Sequence, residues 1–191
     1  ACPVSPHPTP PAWSFLIPKF LIIIKHRLTY LLSWPRRWWH RHGFNVQSPW
    51  AFEFVTDVLF DTHRFYAFDE LGGTPADEQL FKICRWLKAK DVVAHTENTT
   101  TKAYLVYNLK NKGDKFTVCY YDCKHVSQLE NDLHNNLFDT HSCVIVEDIR
   151  HQAATLWQQL IASPLSTSTF DLANRGIAFF DPARQKQNYL L

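Results

Sequence analysis

The sequence predicts an α/β fold, a mostly parallel sheet with helices on both faces and a C-terminal antiparallel hairpin. Three observations carry this. From Ser48 onward, short apolar runs rich in β-formers alternate with amphipathic helical stretches, the order expected of strand–helix–strand units. Cys143 to Val146 is continuously apolar, as a strand buried on both faces reads. Near the end, Thr167–Leu172 and Gly176–Phe180 are separated only by Ala173-Asn174-Arg175, too short for a helix and right for a hairpin. At 191 residues, with 46% hydrophobic and 20% charged residues, the chain has material for one domain with a substantial core.

Residues 1–13 hold Pro3, Pro6, Pro8, Pro10 and Pro11 without periodicity, and read as a flexible leader. Residues 14–42 form an amphipathic helical and basic-aromatic segment. Phe15, Phe20, Ile23, Ile24, Tyr30 and Leu31 supply the apolar contacts, and Pro35 breaks the helix. Arg36-Arg37-Trp38-Trp39-His40-Arg41-His42 follows. Two readings stand for that cluster: contact with an anionic membrane surface, or tryptophans packed on the domain with solvated arginines. The run from Phe15 to Trp34 is interrupted by Lys19, Lys25, His26 and Arg27, unlike a membrane-spanning helix. The start is proline-rich and lacks a positive n-region, so no secretory signal is expected. The expected location is cytoplasmic, either free or peripheral to a membrane.

Residues 43–191 carry the α/β domain. Ser48-Pro49 is an N-cap followed by proline at the first helical position, with Trp50, Phe54, Val55, Val58 and Leu59 at helical spacing. A helix is expected over about 77–90, a strand at Asp91–Ala94 and a helix from Thr99 to Leu109. A strand follows at Lys115–Tyr121. Leu129, Leu133 and Leu137 mark a helix over Val126–Leu137, and Ala153–Ala162 is a further helix after the strand of Cys143. Tyr189–Leu191 extends an edge. This succession is Rossmann-like.

Net charge +2 is too small to point to nucleic acid, and no such partner is expected. Cys2, Cys84, Cys119, Cys123 and Cys143 are odd in number and scattered, without the paired spacing of a disulfide framework or a zinc site. They read as buried thiols in a reducing compartment.

In open parallel sheets, ligands sit outside the carboxyl ends of the strands. Two successive strands end in acid here, at Tyr120-Tyr121-Asp122 and at Val146-Glu147-Asp148, with His125 and His151 nearby. If those strands are neighbours, Asp122, Glu147 and Asp148 converge. Such a group either holds Mg²⁺ and supplies a general base, or caps the following helices.

The segment from Arg41-His42-Gly43 to Ser48-Pro49-Trp50-Ala51-Phe52 resembles the entry motif of class I S-adenosylmethionine-dependent methyltransferases of the Bacteroidetes type, with two extra residues after Gly43. Further on, Val144-Ile145-Val146-Glu147-Asp148-Ile149-Arg150 resembles that family's strand end, and Phe116–Asp122 with His125 its preceding strand. Phe170–Leu172, Gly176–Phe180 and Gln185–Tyr189 resemble its closing hairpin and tail. The resemblance spans about residues 41–191 and implies a small-molecule O-methyltransferase-like fold. It implies S-adenosylmethionine as cofactor, with His95, Glu97 and Asp122 at the positions left to bind it. It also makes Asp122 and Asp148 the catalytic positions, and Asp122, Glu147 and Asp148 the metal-holding ones.

The chain departs from that pattern in two places. The family's glycine-bearing turn is replaced by His95-Thr96-Glu97-Asn98-Thr99-Thr100-Thr101, which has no glycine to let the backbone approach a ligand. The strands and helices that supply the family's ribose-binding acid, on the order of 40 to 50 residues or more than one strand–helix unit, have no counterpart between Leu109 and Phe116. The expectation is a sheet reduced in strand number and a degenerate cofactor site. From these departures, loss of methyl transfer and of S-adenosylmethionine binding is expected. An active small-molecule O- or N-methyltransferase, and a membrane-peripheral or protein-binding module, are the alternatives.

Overall fold

The computed structural model describes Pro35, residues 46–107, Leu109 and residues 115–191. The leader, the amphipathic segment of 14–42 and the residues at the head of the entry motif lie outside the described residues. From Val46 on, the chain belongs to one compact unit.

The first helix, α1 (Pro49–Phe54), begins where expected: the Ser48 hydroxyl accepts the Ala51 amide and proline occupies the first turn. It runs into one π-helical turn over Val55–Leu59. Next come α2 (Tyr66–Leu71), α3 (Pro75–Trp86), β1 (Ala89–His95), α4 (Thr99–Tyr107), β2 (Phe116–Tyr121), α5 (Val126–His134) and β3 (Ser142–Glu147). The chain closes with α6 (Ala154–Ala162), β4 (Ser168–Asp171), β5 (Arg175–Phe179) and β6 (Gln187–Leu190). The alternation read from the sequence is present. The exceptions are α2, which has only six residues and no proline or repeating apolar face to announce it, and the edges of α3 and α5. Helix α3 stops at Trp86 because Lys88 adopts φ 50°, and α5 stops at His134 before Asn136 at φ 51°.

The strand order is β1-β2-β3-β5-β4-β6. β1, β2 and β3 are parallel, β5 runs antiparallel to both β3 and β4, and β6 is parallel to β4. The fold is therefore α/β with a mixed, mostly parallel sheet and a C-terminal antiparallel hairpin. All five parallel strands end at one edge, where β5 starts with Arg175.

Strand register sorts side chains between two faces. Val92, Val118 and Cys143 lie on one face, packed with Leu80, Ile83 and Cys84 of α3, Leu105 of α4, and α1. Cys119 and Val144 lie on the other, with Leu129 of α5 and Leu156, Trp157 and Leu160 of α6. Aromatic residues make up 15% of the chain, and several of them meet here. Phe54 meets Phe170 at 4.9 Å and Phe179 at 5.4 Å edge-on, Trp50 meets Phe179 at 5.0 Å, and the Arg184 guanidinium lies 3.5 Å over the Trp50 ring.

On the α6 face, the fully buried Trp157 lies directly on β5. A Cβ placed on Gly176 would come within 2.6 Å of the Trp157 ring, far inside van der Waals contact. Gly176 is therefore required by close approach. Gly176→Ala is expected to lower stability by about 1–3 kcal/mol through overpacking, read as a lower urea midpoint with unchanged slope; an unchanged midpoint would show that Trp157 shifts freely.

Candidate functional site

The carboxyl edge of the parallel strands gathers the residues singled out from the sequence: His95 at the end of β1, Asp122 after β2, and Glu147 and Asp148 at the end of β3. β2 and β3 are neighbours, so the acids do come to one edge. They do not face a common point. Each serves a separate partner.

Asp122 turns back on its own loop. Its Oδ1 accepts the Lys124 amide at 2.8 Å and lies 2.7 Å from His125 Nδ1, and the Thr96 hydroxyl donates to the carboxylate as well. Burial opposes its charge, but these hydrogen bonds outweigh burial and hold the carboxyl below its ordinary value. Glu147 faces the antiparallel strand, where Arg175 stands directly opposite in register. The guanidinium donates Nε at 2.6 Å and Nη2 at 2.5 Å to Glu147, and Tyr120 adds its hydroxyl at 3.3 Å. Nη1 of Arg175 reaches across to the Ala76 carbonyl and to Gln79 Oε1, each at 2.9 Å, so one side chain spans β3, β5 and α3. Asp148 adopts φ 56°, and its carboxylate accepts the Gln152 amide at 3.2 Å ahead of α6. The expected metal set of Asp122, Glu147 and Asp148 is not assembled. Among the described residues, no three His, Cys, Asp or Glu side chains are grouped as metal ligands would be. Glu147 is neutralised by Arg175, and Asp148 is turned into a helix entry.

The turn after β1 holds the residues expected to touch a cofactor. The Thr96 hydroxyl accepts the Asn98 amide at 3.2 Å. Asn98 Oδ1 then accepts the Thr100 amide at 3.0 Å and the Thr101 amide at 3.3 Å, capping two donors at the start of α4 from within the chain. Glu97 reaches Lys124 of the next loop at 2.7 Å. The Asp122 amide donates to the His95 carbonyl at 3.1 Å. The loops leaving β1 and β2 are thus laced together by a backbone bond, the Thr96–Asp122 contact and an exposed ion pair.

His95 itself turns to the α5 face. Its ring stacks on Tyr121 at 4.8 Å with 16° between planes, and its Nε2 lies 3.8 Å from Asp132 Oδ2, beyond a hydrogen bond. Asp132 is buried and held by Tyr121 Oη at 2.6 Å and Gln128 Nε2 at 2.8 Å. Burial and the Asp132 contact push the Tyr121 hydroxyl well above its ordinary value, so it stays a donor.

On the other face, Asp77 closes a capping box with Thr74 and accepts the Thr101 hydroxyl at 2.7 Å, tying the start of α3 to the start of α4. Arg175, Asp77, Asp132 and Tyr121 were not among the residues singled out from sequence. Asp132 had a usable signal, an acid three residues after Leu129 on the apolar side of α5. Arg175 had none, because it reads as a turn residue.

No protein-family model matches this chain, and no curated protein or solved structure matches it. Among the described residues, no helix is long and apolar enough to cross a membrane.

The network around Asp77 generates a pH prediction. Burial works against its charge, yet the Thr74 and Thr101 hydrogen bonds and the field of Arg175 hold its carboxyl below 3.8. A depressed carboxyl stabilises the fold above its unfolded value and loses that stabilisation as pH falls through its folded one. Asp77→Asn should therefore cost about 1–3 kcal/mol at pH 7 and show a flatter fall in stability below pH 4. Equal acid-unfolding curves for the two proteins would rule out Asp77 as a contributor.

Proposed function

We propose that this chain is a methyltransferase-like α/β domain with a degenerate cofactor site, and that it works as a structural or interaction module without transferring methyl groups. The observation that carries this reading is the lacing of the β1 and β2 loops. An α/β sheet binds a ligand by leaving backbone amides and side chains unsatisfied at the strand ends. Here Asn98 takes the amides at the start of α4, Glu97 is paired with Lys124, and Asp122 is bound to Thr96, His125 and the Lys124 amide.

S-adenosylmethionine does not fit these residues. Its methionine end needs a backbone that can be closely approached. The side chains of Thr96, Glu97 and Asn98 stand in the turn where the family resemblance calls for glycine. No step of methyl transfer is derived through it. On the β3 side, the ion pair between Glu147 and Arg175 satisfies the carboxylate that would otherwise meet a metal or a substrate proton.

Isothermal titration of the full chain with S-adenosylmethionine, and with its demethylated product, tests this. No heat at millimolar ligand is the expected result. Micromolar binding of either ligand would overturn the reading and favour an active O- or N-methyltransferase.

A further inference from the structure

We propose that residues 62–73, with α2 at their centre, form a strap that opens as a unit while the sheet and the helices around it stay folded. Opening uncovers the aromatic surface of Phe81 on α3 and Tyr104 on α4. This rests on the packing around α2 and is independent of the cofactor reading.

The strap has little of its own to hold it. Helix α2 has six residues, lacks a side-chain cap at its start and buries only Ala67 and Phe68, while Tyr66 is 95% exposed. A helix of under two turns is not stable by itself, so its order comes from what it lies on. That surface is a separate aromatic cluster. Ala67 and Phe68 pack with Phe81 and Tyr104, and Phe65, Leu71 and Tyr107 lie at the margin. None of these residues belongs to the two clusters that cover the faces of the sheet. Lifting α2 therefore leaves the residues of both sheet cores in place.

Hydrogen bonds fix where the strap begins and ends. Upstream, Gln79 donates to the Leu59 carbonyl at 3.0 Å and Lys82 to the Asp61 carbonyl at 2.6 Å, which ties the chain to α3 as far as residue 61. Downstream, the Thr74–Asp77 box caps α3 from Thr74 on. Between α2 and that cap stand Gly72 at φ 64° and Gly73 at φ 123°. A Cβ at Gly72 would meet nothing within 4 Å, so that glycine answers to the backbone angle alone, and the pair supplies a hinge. At Gly73 a Cβ would come within 2.9 Å of the Tyr104 ring, so the hinge crosses directly over that side chain.

Two tyrosine hydroxyls of α4 act on the strap in opposite senses. Tyr107 donates to Glu70 of α2 at 2.9 Å and serves as a latch, while Arg85 of α3 adds a hold from 5.0 Å over the Phe65 ring. Tyr104 is fully buried under the strap, and its hydroxyl has no hydrogen-bond partner. Burial, followed by the fields of Glu78, Asp77 and Asp69, pushes its ionisation up, so it remains a neutral donor. A buried donor without a partner is unfavourable, and opening returns it to water. The closed strap thus carries a built-in bias towards opening.

Hydrogen exchange of the full chain, read by mass spectrometry on peptides covering 62–73 and on peptides of β2 and β3, provides the test. The strap amides should be protected, yet exchange faster than those of β2 and β3. Low urea should speed exchange of β2 and β3 steeply and that of the strap little, because opening the strap exposes little surface. Tyr107→Phe should speed exchange in the strap about threefold, and Tyr104→Phe should slow it about tenfold. Circular dichroism checks that each variant folds; if Tyr104→Phe does not, Tyr107→Phe and the wild-type urea series decide. Strap amides that are unprotected, or that exchange together with β2 and β3 at every urea concentration, would overturn the inference. So would folded variants that do not move the strap in these opposite directions.

Discussion

One guanidinium organises the working edge of this sheet. Among the described strands β5 alone runs antiparallel, and Arg175 is its first residue, so its side chain starts at the edge where the parallel strands end. From there it binds Glu147 of β3 and continues to the Ala76 carbonyl and Gln79 of α3. A partly buried carboxylate such as Glu147 gains from a partner, because a charge withdrawn from water without one is unfavourable. A planar cation with five donors is suited to satisfying a carboxylate and a carbonyl together. The antiparallel insertion of β5 between β3 and β4 is what makes that geometry available. The sheet topology thus decides the chemistry of its own carboxyl edge.

The same edge shows how a ligand-type site is filled from within. Parallel sheets leave loops and helix starts pointing at one side, and in a binding protein those groups wait for a guest. Here the start of α3 is capped by the Thr74–Asp77 box, the Thr100 and Thr101 amides of α4 by Asn98, and the two helix starts are joined through Thr101. The loops after β1 and β2 are held to each other. Among the described residues, the buried side-chain atoms without a hydrogen-bond partner are His95 Nε2, Tyr104 Oη and Trp157 Nε1.

The sequence made much of the fold legible and little of the site's wiring. Strands β2 and β3 were plain because burial on both faces forces continuous apolar runs, and α1 was plain because Ser48 and Pro49 are a physical signal for a helix start. The six-residue α2 was hidden, since a helix of under two turns leaves no periodicity to read. At the site, the convergence of Asp122 and Glu147 could be read from two strands ending in acid. Their separate fates could not, because Arg175 contacts Glu147 only through the register of a hairpin and contacts Ala76 from 99 residues away. Long-range pairing of this kind carries no local pattern. The absence of glycine from Thr96 to Thr101, in contrast, is readable directly in the sequence.

Handedness sets β1 apart from the other strands. β1→β2 and β2→β3 step the same way along the sheet while α4 and α5 pack on opposite faces, so these two connections have opposite hands. The edge of β1 is also blunted from within, because Asp91 Oδ1 accepts the Val92 amide at 2.8 Å. Its exposed Lys90, Asp91 and Val93, beside the continuously buried β3, are the residues of a strand that meets water.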